Sequence, residues 1–253
     1  MYVVITGANG GFGKEFSEQF ALRGYDLCIA GIEEESLNHI KRDIEKRYKN
    51  TVDVLRVDLT QNEEMDKLYN FTKSKGVDVL INNAGIATGG KPEDIDVDKE
   101  MNMLAINVRA VHYLTRRYLA DMVRENKGKI LNVSSLSAWL PTPFLSAYAA
   151  GKTYVLHLSE GINFELKKTK SKVRVSVVTP GFFSTGIAAD RGKVADQKRP
   201  IGKYIQKVVQ EFLEGKDVII LGKDKKIIIM TRFLRRSFAK QLMFRGFVKG
   251  LGL

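Results

Sequence analysis

The sequence is poor in the residues that staple or punctuate a chain. It has one cysteine, Cys28, in 253 residues. A disulfide framework is therefore excluded, and the apolar run Leu27-Cys28-Ile29-Ala30 marks Cys28 as a small core residue. Five prolines, with no Ser/Gly-rich or charged spacer, leave nothing to mark an internal linker. His39, His112 and His157 lie singly on helical stretches, so no metal site is expected. No apolar run reaches the roughly 18 residues that would span a bilayer. The first strand begins at residue 2, leaving no room for a signal peptide, and a cytoplasmic location is expected. Acid is short as well: 41 Lys/Arg face 29 Asp/Glu, a net charge of +12. Residues 223–253 hold nine of those bases and a single acid, Asp224, so the excess belongs mainly to the tail. With only the tail basic and no element that reads bases, nucleic acid is not an expected partner.

What the chain does have is alternation. A hydrophobic content of 44% can bury a sizeable core, and 253 residues suit one large α/β domain. Tyr2-Val3-Val4-Ile5 reads as a short strand, followed at once by Thr6-Gly7-Ala8-Asn9-Gly10-Gly11-Phe12-Gly13 and a helical pattern over 14–22. Glycines between a strand and a helix permit a tight turn and close approach of backbone to a pyrophosphate, which meets free N–H groups at the helix start. Further strands are expected at 26–30, 52–57, 77–81, 129–133, 173–178 and 218–221. Helices are expected at 37–48, 61–74 and 101–124.

The stretch from Leu131 to Lys152 carries the chemistry. Tyr148 and Lys152 are four apart, one turn on a shared helix face. A tyrosine of pKa about 10 is a poor acid at neutral pH. A neighbouring ammonium favours its phenolate and makes the hydroxyl a usable proton donor or acceptor. Ser135, just past the strand at 129–133, is well placed to hydrogen-bond a substrate oxygen.

These pieces together resemble the short-chain dehydrogenase/reductase family. The motifs are T-G-x-x-x-G-x-G at 6–13, N-N-A-G at 82–85, Asn107, Ser135, Y-x-x-x-K at 148–152 and P-G-x-x-x-T at 180–185, in register from Met1 to about Leu221. The resemblance implies a Rossmann-like doubly wound parallel sheet as a single domain (1–221), followed by a basic extension (222–253). It implies hydride transfer between NAD or NADP and a carbonyl or secondary alcohol. Tyr148 would be the general acid/base, Ser135 would orient the oxygen, and Lys152 would lower the Tyr148 pKa and bond the nicotinamide ribose. Asn107 would bend its helix and support a water relay. Cofactor contacts would come from Gly7, Asn9, Gly11, Phe12 and Gly13, from Gly31 and Ile32, and from Asp58 and Leu59. Asn83, Ala84 and Gly85 would add to them, as would Tyr148, Lys152, Pro180, Gly181, Phe183 and Thr185. Apolar Leu136, Trp139, Phe144, Phe182 and Ile187 would face a hydrophobic substrate.

Cofactor choice leans to NAD. At the end of the second strand an acid would bind the ribose of NAD and an arginine the extra phosphate of NADP. Gly31 and Ile32 occupy those positions, and Gly10 stands where many NADP-dependent relatives carry a base. Glu33 to Glu35 would repel a phosphate, or would simply start a helix at its positive dipole end. The tail departs from the family's compact pattern. Met230, Leu234, Phe238 and Leu242 form one stripe, with Arg232, Arg236 and Lys240 opposite. Such a helix suits packing on its own domain, or else an anionic membrane surface, the active-site mouth or a partner subunit. The resemblance further implies homodimers or homotetramers through the helices bearing Asn107 and Tyr148. Two other readings are a non-catalytic dinucleotide-binding sensor or scaffold, and a membrane-surface reductase of lipid-like ketones.

Overall fold

A computed structural model describes residues 1–181, 183, 200–233, and positions 237, 238, 240, 241, 244 and 245. Among the described residues seven strands form one all-parallel sheet: β1 (Tyr2–Thr6), β2 (Asp26–Gly31), β3 (Val52–Arg56), β4 (Val77–Asn82), β5 (Lys129–Val133), β6 (Arg174–Val178) and β7 (Val218–Ile219). Their order is β3-β2-β1-β4-β5-β6-β7. Each of β1, β2 and β4 to β6 is a short apolar run, as strands covered on both faces must be.

The helices are α1 (Gly11–Ala21), α2 (Glu34–Arg47), α3 (Asn62–Thr72), α4 (Val97–Leu104), α5 (Val111–Glu125), α6 (Ser146–Lys168), α7 (Ile201–Leu213) and α8 (Lys223–Phe233). Helices α1, α2 and α7 cover one face of the sheet. Phe12, Phe16 and Phe20, spaced four apart on α1, are buried there with Leu37, Ile40, Val208 and Phe212. Helices α3, α5 and α6 cover the other face with Met65, Leu68, Leu114, Tyr118, Ile162 and Leu166. Cys28 lies in this second core, where burial pushes its thiol up to about 12, so the thiolate is withheld.

Strand β1 pairs with β2 on one side and β4 on the other, and the chain winds outward in both directions from that seam. Two loops leave the carboxyl ends of β1 and β4 side by side, so a crevice opens between them.

Several expected boundaries shift by a few residues. The helix expected over 101–124 starts at Val97, because the Asp96 carboxylate accepts the N–H groups of Asp98 and Lys99. It continues through a π-helical turn at Ala105–Ala110 before α5. The helix expected from 37 begins at Glu34, with Glu34 and Glu35 in its first turn. The last strand stops at Ile219, two residues short of expectation. Among the described residues no helix is long and apolar enough to cross a membrane.

Candidate active site

The crevice at the β1/β4 seam is a cleft of about 290 Å³. Its walls contain Gly7, Asn9, Gly11, Phe12, Gly31, Ile32, Asp58, Leu59, Asn83, Ala84 and Gly85, all expected as cofactor contacts. Gly10, Val57, Ile86 and Ile106 complete it. The last three are ordinary apolar residues whose sequence neighbourhood carries no signature, and only the fold brings them there.

The glycines explain why the cleft is open. Gly7 has φ +64°, and a Cβ on it would lie 2.6 Å from the Ala84 Cα. Any side chain there would force the two loops apart. Gly85 is a tighter fit than most residues find, its Cβ position 3.1 Å from Asn107 Oδ1 and 3.4 Å from Lys152 Nζ. Gly13 does not line the cleft. Its Cβ position falls on the Gly7 carbonyl oxygen, so it serves the close packing of α1 on the loop.

Side-chain hydrogen bonds hold both loops. Asn83 donates to the carbonyls of Thr6 and Gly7, and the Thr6 hydroxyl accepts from the Asn83 and Ala84 N–H groups. One residue earlier, Asn82 donates to Asn132 on β5 and to Thr115 on α5, and Asn132 donates to Ser159 on α6. This buried chain of amides and hydroxyls links the seam strand to the strand and helix that carry Ser135, Tyr148 and Lys152.

Asn107 sits in the π-helical turn, almost wholly buried. Its amide donates to the Ile86 carbonyl at 2.7 Å and accepts the Ile86 N–H at 3.0 Å. Single π-helical turns of this kind are rare inside α-helices and frequent at functional sites. Lys152 is fully enclosed on α6, and its Nζ donates to the Val133 carbonyl at the end of β5. Desolvation lowers its pKa to about 8. The ammonium lies 5.8 Å from the centre of the Tyr148 ring, one helical turn away. Ser134 donates to the Lys152 carbonyl, and the Ser135 hydroxyl accepts from the Ser137 N–H and hydroxyl. Asn107, Lys152 and the Gly85 backbone thus meet at one end of the cleft, with Tyr148 beside them.

The remaining expected residues fall in several places. Leu136 donates its N–H to the Pro180 carbonyl at 2.8 Å, which ties the Ser135 segment to the turn after β6. Phe183 is buried against Phe12 and Tyr204 (centroids at 5.1 and 4.5 Å), so its ring packs under the glycine loop. Trp139 lines a second cavity of about 620 Å³ with Ala149, Thr153 and Leu156 of α6 and with Lys240. Phe144, held at φ +62°, stacks on Phe244 of the tail at 5.3 Å. Phe182, Thr185 and Ile187 lie outside the described residues, as do Leu234, Arg236 and Leu242 of the tail stripe.

The charge of the cleft is simple. Asp58 is the one ionisable residue among its described lining residues, and none of these is basic. Glu33 to Glu35 stand at the start of α2 and not on the wall. Arg56 is opposite Gly31 in the β2–β3 register and is exposed. Among the described residues there is no group of three His, Cys, Asp or Glu able to hold a metal ion.

A glycine-lined crevice at the seam of a parallel sheet, with a buried Lys beside a Tyr at its end, defines a dinucleotide-dependent oxidoreductase of the α/β class. The short chain dehydrogenase family profile matches residues 1–196. The chain belongs to that family, whose members interconvert carbonyls and alcohols with a nicotinamide cofactor. An uncharacterized oxidoreductase of Staphylococcus saprophyticus is 30% identical over 74% of this chain and 80% of its own length. The very-long-chain 3-oxoacyl-CoA reductase-B of Danio rerio is 31% identical over 79% of this chain, a stretch that covers 65% of that protein. The chain therefore spans just under two thirds of the latter. In fold it matches a Sphingobium yanoikuyae short-chain dehydrogenase solved with NADPH (TM-score 0.82, 24% identity, 93% of this chain and 96% of that one). It also matches a Burkholderia phymatum short chain dehydrogenase/reductase solved with NAD (TM-score 0.83, 24% identity, 95% and 94%).

Proposed function

We propose that the chain transfers a hydride reversibly between a nicotinamide cofactor and a hydrophobic carbonyl or secondary alcohol, with Tyr148 as general acid/base. The observation that carries this is the convergence of Asn107 and Lys152 on Gly85, next to Tyr148, at the end of a glycine-lined cleft. The cleft fits a dinucleotide: Gly7 and Gly85 are cradles that a Cβ would fill, and the start of α1 offers free N–H groups to a pyrophosphate. The cofactor would supply or accept the hydride. Tyr148 gives the carbonyl oxygen its proton in reduction and takes it back in oxidation. Ser135 donates to that oxygen and stabilises the charge that develops on it. Lys152 holds Tyr148 acidic by its positive charge and reaches toward the ribose, and Asn107 fixes the Gly85–Ile86 backbone on which the ribose rests.

NAD is the proposed cofactor. The described wall offers Asp58 and no base, and a 2′-phosphate would depend on Arg56 swinging in from its exposed place beside Gly31. The similarity to very-long-chain 3-oxoacyl-CoA reductases makes long-chain 3-oxoacyl thioesters the first substrates to assay, beside bulky ketones. The deciding experiment is Tyr148→Phe. It should lower kcat by about two to four orders of magnitude while cofactor affinity stays near normal. An unchanged kcat contradicts the assignment.

A second reading, contact with a membrane surface, is favoured by Phe238, which is 56% exposed on the basic tail. Anionic vesicles should pull down the full chain and release it when Phe238→Asp is introduced. Equal sedimentation of both proteins would reject this contact.

A further inference from the structure

We infer that Asp224, the lone acid of the tail, is a positioning residue for the nicotinamide half of the site. The inference rests on the reading of the cleft as a cofactor site.

The tail is otherwise basic, yet its one acid is buried: Asp224 is 1% exposed at the second position of α8. Its Oδ2 accepts the Gly181 N–H at 3.1 Å. The carbonyl of the same peptide group, that of Pro180, accepts the Leu136 N–H at 2.8 Å. The Pro180–Gly181 peptide is thus held on both edges, from the Ser135 segment on one side and from the tail helix on the other. A peptide is planar and rigid, so fixing its two polar ends fixes its orientation. Gly181 is moulded to this contact, since a Cβ there would come within 2.5 Å of Asp224 Oδ1. Two residues on, Phe183 packs on Phe12 of the glycine loop. The turn after β6 is therefore pinned between the tail, the Ser135 segment and the cofactor loop.

Burying a carboxylate is costly unless its bonds are satisfied, and at the start of α8 the helix's positive end and the Gly181 N–H both favour the charge. The contact bears on the segment that carries Ser135 and, through Phe183, on the glycine loop of the cleft. It also gives the family-atypical tail a direct connection to the active site.

The test compares two ligands in wild type, Asp224→Ala, Asp224→Asn and Gly181→Ala. NADH reports both halves of the cofactor site and ADP-ribose only the adenosine diphosphate half. Losing a hydrogen bond to a charged acceptor should weaken NADH binding roughly tenfold in Asp224→Ala, with ADP-ribose affinity unchanged. Asp224→Asn, which keeps the acceptor oxygen, should stay within about threefold of wild type for both ligands. Gly181→Ala should weaken NADH as Asp224→Ala does, and it keeps the question answerable if Asp224→Ala does not fold. Equal affinity for NADH in all folded variants overturns the inference, as does a parallel loss of NADH and ADP-ribose. Failure of wild type to bind NADH overturns the cofactor reading instead.

Discussion

Lys152 shows how much a single buried side chain decides. Desolvation by burial brings its pKa down to about 8, so it loses its proton as the pH rises through that value. Only the charged form favours the Tyr148 phenolate, so above about pH 8 the tyrosine returns toward its weak ordinary acidity. In the reducing direction kcat/KM, which reports the free enzyme, should bend downward near pH 8. Lys152→Met should be slower at every pH and should lack that bend. A reductive profile flat from pH 6 to 9 in wild type would mean that Lys152 does not control Tyr148. Much of this residue-level picture was legible beforehand, because Tyr148, Lys152, Asn107 and the glycines are set by chemistry that tolerates few substitutes. Ile86, Ile106 and Val57 were not, because an aliphatic wall has many equivalent solutions and leaves no signature.

At the scale of elements, the short apolar strands and the helices between them were readable from period and composition. The ends were less so. Helix α4 starts early because Asp96 can cap it, and α2 takes Glu34 and Glu35 into its first turn, which removes those acids from the cofactor argument. The π-helical turn around Asn107 has no composition of its own; within it the amide bonds the Ile86 backbone in both directions. The chain from Asn82 through Asn132 to Ser159 ties β4, β5 and α6 into one unit. Asn132 is wholly buried, and Asn132→Ala would leave donors and acceptors of that chain unpaired. Urea unfolding should show a loss of about 1–3 kcal/mol. A variant as stable as wild type would mean the chain is dispensable. Tail packing was the least predictable element, since the same amphipathic pattern serves a membrane, a subunit or the domain itself. Only the folded positions of Asp224 and Phe244 reveal that part of it lies against the active-site loops.

For the whole molecule, the helices on the α5–α6 side leave large apolar side chains in solvent: Met101, Val123, Tyr154 and Phe164, the last 62% exposed. Apolar groups clustered on one layer mark association surfaces, and light scattering should give a dimer or tetramer that Phe164→Glu drives toward monomer. A monomeric wild type would contradict the proposed assembly. The central claim, that the seam of the sheet holds a nicotinamide cofactor for Tyr148 chemistry, is tested most directly by titrating the protein with NADH and with NADPH. The signal is energy transfer from Trp139, the single tryptophan, to the reduced nicotinamide. Saturable transfer is expected with both, at lower concentration for NADH. Tighter binding of NADPH would reassign the cofactor and bring Arg56 into the site, and transfer with neither in a folded sample would contradict the claim itself.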